Sequence, residues 1–109
     1  MNTLIDNYEK WYDTEKVAVI HNSQFKEDPT GKPYVVAFVW VNKFLTTEQK
    51  LEKAYMLTNS IDDAWWNNKE VEALHKTRST SVGDQILIGN VKYVCENIGW
   101  KKIIERTGQ

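Results

Sequence analysis

Eleven consecutive residues, Tyr34 to Phe44, constrain this chain more than any other stretch. They read Tyr-Val-Val-Ala-Phe-Val-Trp-Val-Asn-Lys-Phe, and β-branched and aromatic side chains at this density predict a strand. Successive strand residues point to opposite faces. Tyr34, Val36, Phe38 and Trp40 would therefore share one face, and Val35, Ala37, Val39 and Val41 the other. Both faces are apolar, so the strand needs cover on both sides, from two layers of its own domain or from a second subunit. A chain of 109 residues has room for one domain. Covering both faces internally is demanding at this size, which makes a homo-oligomer an expectation to carry forward.

The remaining elements follow from local pattern. Val17-Ala18-Val19-Ile20 reads as a buried strand, and Asp28-Pro29-Thr30-Gly31-Lys32-Pro33 as a turn. Leu4, Tyr8 and Trp11 or Tyr12 recur at helical spacing and suggest a short amphipathic helix between Thr3 and Lys16. Thr46 and Gln49 form a capping-box pair ahead of a helix from about Thr47 to Thr58, with Leu51, Ala54, Tyr55 and Thr58 inward. Ser60 with Asp62 and Asp63 would cap a second short helix through Trp65 and Trp66, stopped by Asn67-Asn68. Lys69 to Lys76 reads as one more helical turn or an irregular loop. The C-terminal third is a meander. Gln85 to Ile88 turns at Gly89-Asn90, as a type II′ hairpin does, into Val91 to Glu96. That turn pairs Ile88 with Val91 and Ile86 with Tyr93. Asn97-Ile98-Gly99 then leads to a last strand, Trp100 to Ile104. The expected class is α+β, a small antiparallel sheet with a C-terminal β-meander, packed with one to three short helices. The whole chain, 1–109, forms a single domain. Residues 1–45 supply an N-terminal half with two strands, and residues 46–109 supply the helix and the meander.

Charge and cysteine content narrow the function classes. The net charge is −1, with the middle third (45–75) at −3 and the C-terminal third (76–109) at +3. Such an asymmetry is a solvated surface with unlike halves, or a means of orienting a charged partner. Cys95 is the sole cysteine, so neither an intrachain disulfide nor a cysteine-based metal cluster can be built. No apolar run reaches signal-peptide or membrane-spanning length, which makes a reducing cytoplasm the default compartment and excludes membrane partners. His21 and His75 lack the spacing of zinc ligands. Cys95 falls on an apolar strand face, as an inert thiol does. Asp62 and Asp63 are adjacent and would not face each other on a helix. No P-loop, dinucleotide fingerprint or nucleophile elbow is present. The expectation is a protein that is not an enzyme and uses neither metal nor cofactor.

Two features remain. Arg78-Ser79-Thr80-Ser81-Val82-Gly83-Asp84 is a hydroxyl-rich loop with one arginine, the chemistry a phosphate or carboxylate site uses. The same hydroxyls also serve to satisfy the turn's own backbone, with Gly83-Asp84 shaping the approach to the strand. The second feature is five tryptophans. Trp65 and Trp66 are adjacent, so both cannot point into one core from a helix. Exposed Trp marks partner hot spots and base-stacking platforms alike.

Leu57-Thr58-Asn59-Ser60-Ile61-Asp62, Trp65-Trp66, Asn68, Val71 and Arg78 to Asp84, followed by the Gly-Asn to Gly-Trp tail from Val91 to Ile104, resemble a pattern in small bacterial and phage proteins. More loosely, they resemble the YodL-like segments of mobile elements. The likeness covers about Thr46 to Ile104. It implies a phage or mobile-element setting and carries no activity. The candidate binding residues are then Asn59, Trp65, Trp66, Arg78, Ser79, Thr80, Ser81, Gly83 and Asp84. The expected function is a regulatory or inhibitory protein acting on a protein partner, in host takeover or anti-defence. The alternative is a nucleotide or nucleic-acid module. It would bind phosphate through Arg78 and the loop hydroxyls, stack a base on Trp66, and use Lys101, Lys102 and Arg106 as an electrostatic footing.

Overall fold

The structure, a computed structural model, describes residues 13–26, 28–29 and 31–103. Two long strands form its centre, β1 (Thr14–His21) and β2 (Tyr34–Asn42), paired antiparallel with Val17 opposite Val39 and Val19 opposite Ala37. A short strand, β3 (Val71–Ala73), lies outside β2. On the other side of β1 comes the meander of β4 (Gln85–Ile88), β5 (Val91–Cys95) and β6 (Trp100–Ile103). The sheet order is β3-β2-β1-β4-β5-β6, antiparallel at every pairing. Among the described residues one helix, α1 (Thr47–Leu57), and a 3-10 turn (Trp65–Asn67) complete an α+β fold. The expected N-terminal helix falls largely outside the described residues. Its last residues, Thr14 to Lys16, belong to β1.

The helix seals one face of the sheet. Leu51, Ala54 and Leu57 meet Val17, Val19, Val39, Val41 and Ile86 in a core that also buries Trp65. At the far side Trp100 closes the layer, its indole N–H donating to Glu52 (2.9 Å) and its ring edge on Tyr55. The capping box is present. Thr46 Oγ1 accepts from Gln49 N, and Gln49 Oε1 accepts from Thr46 N. Thr46→Ala is therefore expected to lower the unfolding free energy by about 1 kcal/mol, read as a shift in the urea midpoint. An unchanged midpoint would show that packing alone sets this helix.

Two expectations about the long strand need correction. The register shifts by one residue between Val19 and Ile20, so β2 carries a bulge at Val36. The simple alternation breaks there. Tyr34 and Val36 join Ala37, Val39 and Val41 on the helix side, while Val35 stays with Phe38 and Trp40. The strand also stops at Asn42, whose side chain accepts from Phe44 N, leaving Phe44 exposed. On the face away from α1 no helix lies among the described residues. There the Lys16 ammonium sits over Phe38 (4.6 Å to the ring centroid) and Trp40 (5.6 Å), so its stem covers part of the apolar surface.

Residues 60–77 depart furthest from expectation. Only a three-residue 3-10 turn forms around Trp65 and Trp66, and Val71–Ala73 is an edge strand rather than a helical turn. The meander forms with the register its turn demands: Ile88 faces Val91, and Ile86 faces Tyr93. Gly89 has φ +61° and among the described residues no non-glycine residue, Asn90 included, has positive φ, the combination of a type II′ turn.

Antiparallel order gathers several connections at one end of the sheet. There β1 ends, β2 begins, β3 ends, β4 begins and β5 turns into β6. The loops 22–33, 74–84 and 96–99 therefore lie at this end, together with the C-terminus of α1. Among the described residues no helix is long and apolar enough to cross a membrane.

Candidate functional site

Arg78 organises the loop end. Its Nε donates to both oxygens of Asp28 (3.1 Å each), and Nη1 and Nη2 form a fork on Asp84 (2.6 and 2.9 Å). The two remaining N–H groups go to the carbonyls of Ser79 and Asn22, both at 3.0 Å. All five guanidinium donors thus reach acceptors of the chain itself. Both carboxylate partners are buried. Burial alone would lower the guanidinium's pKa, but the bonds to Asp84 and Asp28 outweigh it and drive it above its ordinary value. The ring of Phe25 caps the outer side of the cation at 4.6 Å.

Each carboxylate also shapes its own loop. Asp28 accepts from the Tyr34 hydroxyl (2.6 Å) and from the N–H groups of Gln24 and Phe25. Burial by itself would raise its pKa, yet the bonds from Tyr34, Phe25, Arg78 and Gln24 prevail and hold it below the usual carboxylate range. Asp84 accepts from Ser81 N (2.8 Å) and Asn22 N (2.9 Å), while its own N–H returns to Ser81 O. Between them stands Gly83, at φ +96° and with the Gln24 side chain 2.7 Å from where a Cβ would sit. Only glycine meets both conditions. The Asn22 side chain donates to Gly83 O, and Gly83 N to Cys95 O (2.8 Å) at the end of β5.

A hydrogen-bonded chain of fixed direction runs behind this cluster. Thr58 Oγ1 donates to Ala54 O (2.8 Å), and Thr80 Oγ1 donates to Thr58 Oγ1 (2.8 Å). Each hydroxyl has one proton, so Thr80 must accept from His21 Nε2 at 2.9 Å. His21 is thereby held as the Nε2–H tautomer. Among the described residues its buried Nδ1 has no hydrogen-bond partner. Burial, with Arg78 reinforcing it and Asp84 and Asp28 opposing, lowers the His21 pKa to about 4. Asp84 lies 3.8 Å from Nε2, beyond hydrogen-bond reach.

The residues singled out from the sequence divide by role. Arg78, Thr80, Gly83 and Asp84 make up the buried network, and Ser81 contributes its backbone N–H and carbonyl to it. Ser79 Oγ accepts from Ser60 N (2.9 Å), and Asn59 Nδ2 donates to Tyr55 O (2.6 Å) at the end of α1. Trp65 is buried and donates its indole N–H to Thr77 O (2.8 Å), while Trp66 is half-buried with its ring 5.5 Å from that of Trp65. The hydroxyl-rich loop is therefore occupied in holding the fold, and the guanidinium is committed to two carboxylates. Sequence reading missed His21, Asn22, Gln24, Asp28 and Tyr34, because each is joined to the loop 74–84 only through the tertiary structure. Cys95 is buried, and burial followed by Asp84 and Glu52 pushes its thiol pKa up. Among the described residues no group of three or more His, Cys, Asp or Glu is placed to hold a metal ion.

Above this buried network the loop end exposes apolar side chains. Phe25, Leu74, Val82 and Ile98 are between 45% and 92% exposed. Two of the three loops are stitched together by Arg78 and by Gln24 Nε2 donating to Val82 O, and Gly83 N bonds Cys95 O at the end of β5, the strand that leads into the third. Comparisons with protein-family models, with curated proteins and with solved structures returned no match.

Proposed function

We propose that this chain is a small, non-catalytic binding protein that acts on a protein partner through the loop end of its sheet, as a regulator or inhibitor of the phage or mobile-element kind. One observation carries the reading. A buried ion network joins the loops 22–33 and 74–84, so that Phe25, Leu74 and Val82 stand in solvent on a braced platform, with exposed Ile98 at the β5–β6 turn on the same end of the sheet. Loops on a rigid scaffold are where proteins carry recognition. Side chains held in place before association lose less entropy on binding. The phage setting comes from the resemblance of residues 46–104. The nucleotide or nucleic-acid alternative needs Arg78 for phosphate, and that guanidinium would first have to leave two buried carboxylates.

The test is co-purification from the native host with three forms of the chain. Wild type and Phe44→Asp, which alters the opposite end, are expected to retain the same protein. The double variant Val82→Asp with Ile98→Asp should retain at least about tenfold less, with its urea midpoint unchanged. Equal retention by all three forms would refute the reading.

A further inference from the structure

The sheet face away from α1 is apolar at its centre. Register places Ala18 and Ile20 of β1 there, between Val35 and Phe38 of β2 and Leu87 of β4, with Val94 of β5 beyond. Ala18 is flanked by Phe38 on one side and Leu87 on the other, so it floors a trough between two larger side chains. Ala18 and Ile20 are each only 8% exposed, yet no helix or strand among the described residues lies over them. The face carries Lys16, Lys92 and Lys101, and its described acids, Glu70 and Glu72, stay at the β3 border. The chain enters β1 from Asp13, whose carbonyl accepts from Lys43 N (2.9 Å) at the end where Lys16 and Trp40 stand, opposite the loop platform. Residues 1–12 precede that point. Leu4, Ile5, Tyr8, Trp11 and Tyr12 fall at i, i+1, i+4, i+7 and i+8, one stripe of a helix, with Asp6 and Lys10 opposite the stripe and Glu9 at its border.

We propose that residues 1–12 fold as this helix and turn back at Asp13 to cover the sheet face away from α1, with an aromatic ring of the stripe seated over Ala18. The inference goes beyond the protein-partner reading and does not depend on it, since it concerns a different surface of the molecule. The lengths match. Twelve residues of helix run about 18 Å, and β1 from Lys16 to Ile20 runs about 13 Å. The stripe supplies the apolar layer that a sheet buried on both faces requires. Its opposite side keeps Asp6 and Lys10 in water, and Glu9 borders a face that offers lysines. A second copy fits less well, because a two-fold pairing of this face brings the same three lysines onto one another. The doubly apolar strand β2 then has both of its covers within one chain.

Methyl-labelled full-length protein tests this by NMR. Nuclear Overhauser contacts are expected from the methyls of Leu4 and Ile5 to those of Val35, Leu87 and Val94. They should persist on dilution and be absent between labelled and unlabelled copies in a mixed sample. Ile5→Asp with Tyr8→Asp, which puts two charges in the stripe, should remove the contacts and shift the Leu87 and Val94 methyls. It should also lower the melting temperature by roughly 10 °C. Asp6→Asn, on the opposite side of the same helix, should leave all three readouts unchanged. Absence of the contacts in the wild type overturns the proposal, and this holds even if the double variant fails to fold. Contacts that appear between labelled and unlabelled copies overturn it in favour of a dimer through this face. A double variant with unchanged methyl shifts and melting temperature overturns it as well. None of these results bears on partner retention by Val82→Asp with Ile98→Asp, so the two readings stand or fall separately.

Discussion

Arg78→Ala is expected to destabilise the fold by about 3–5 kcal/mol, the cost of breaking a buried ion pair by removing one partner. Against a total of roughly 5–15 kcal/mol for a domain, that loss brings the chain close to unfolding at 37 °C. The reason lies in what is left behind. Asp28 and Asp84 are both buried, and among the described residues the guanidinium is the one cation bonded to either of them. Without it two buried carboxylates lose their counter-charge, and the carbonyls of Asn22 and Ser79 lose their donors. Arg78→Lys should rescue little. An ammonium has three donors on a single point, whereas this site spends five on a planar fork reaching two acids and two carbonyls. Arg78→Met combined with Asp84→Asn is expected to recover part of the loss, because the second change removes one of the stranded charges. Urea denaturation of the four proteins measures this. A cost below about 1 kcal/mol for Arg78→Ala would mean that the network is a surface salt bridge in energetic terms, and the braced platform would lose its foundation.

The elements that were legible from sequence are those whose signal is local. Gly89 and Asn90 define a turn that admits one register, so the pairs Ile88–Val91 and Ile86–Tyr93 follow from adjacent residues. Thr46 and Gln49 stand three apart and make both capping bonds within one turn. The β2 bulge has no such signature. Every residue from Tyr34 to Val41 is apolar, so no polar position marks where alternation slips, and the shift is decided by pairing with β1. Val71 to Ala73 becomes a strand because β2 has an open flank there, a circumstance absent from its own composition. The Arg78 loop shows the same limit at the site. Its serines, threonine and arginine are the chemistry of an anion site, and of a loop that must satisfy itself. What separates the two is an aspartate fifty positions away in a segment that reads only as a turn. The indoles divide on similar grounds. Trp65 finds the Thr77 carbonyl and becomes core, leaving Trp66 half-buried at its edge.

Between pH 6.5 and about 4 the protein is expected to lose about 3 kcal/mol of stability through His21 alone. The sign follows from which state takes the proton. In the unfolded chain histidine titrates near 6.5, whereas in the fold His21 stays neutral until about pH 4. Across that window the unfolded state binds a proton that the native state refuses, so stability falls as pH falls. Above 6.5 neither state binds it, and this contribution is flat. The geometry explains the refusal. Nε2–H is already given to Thr80, so an added proton must go to Nδ1, which finds no hydrogen-bond partner among the described residues. The new cation would also be buried in the field of Arg78. Asp28 acts lower on the scale. Its folded pKa lies below 3.8, so its share is intact above that value and goes as pH falls through the folded pKa. The two groups therefore separate in a stability–pH profile. His21→Gln offers an amide N–H to Thr80 without a titratable nitrogen. It should flatten the limb between 6.5 and 4 and leave the steeper acid limb in place. A profile for His21→Gln that keeps the upper limb would assign it to other groups and refute His21 as its source.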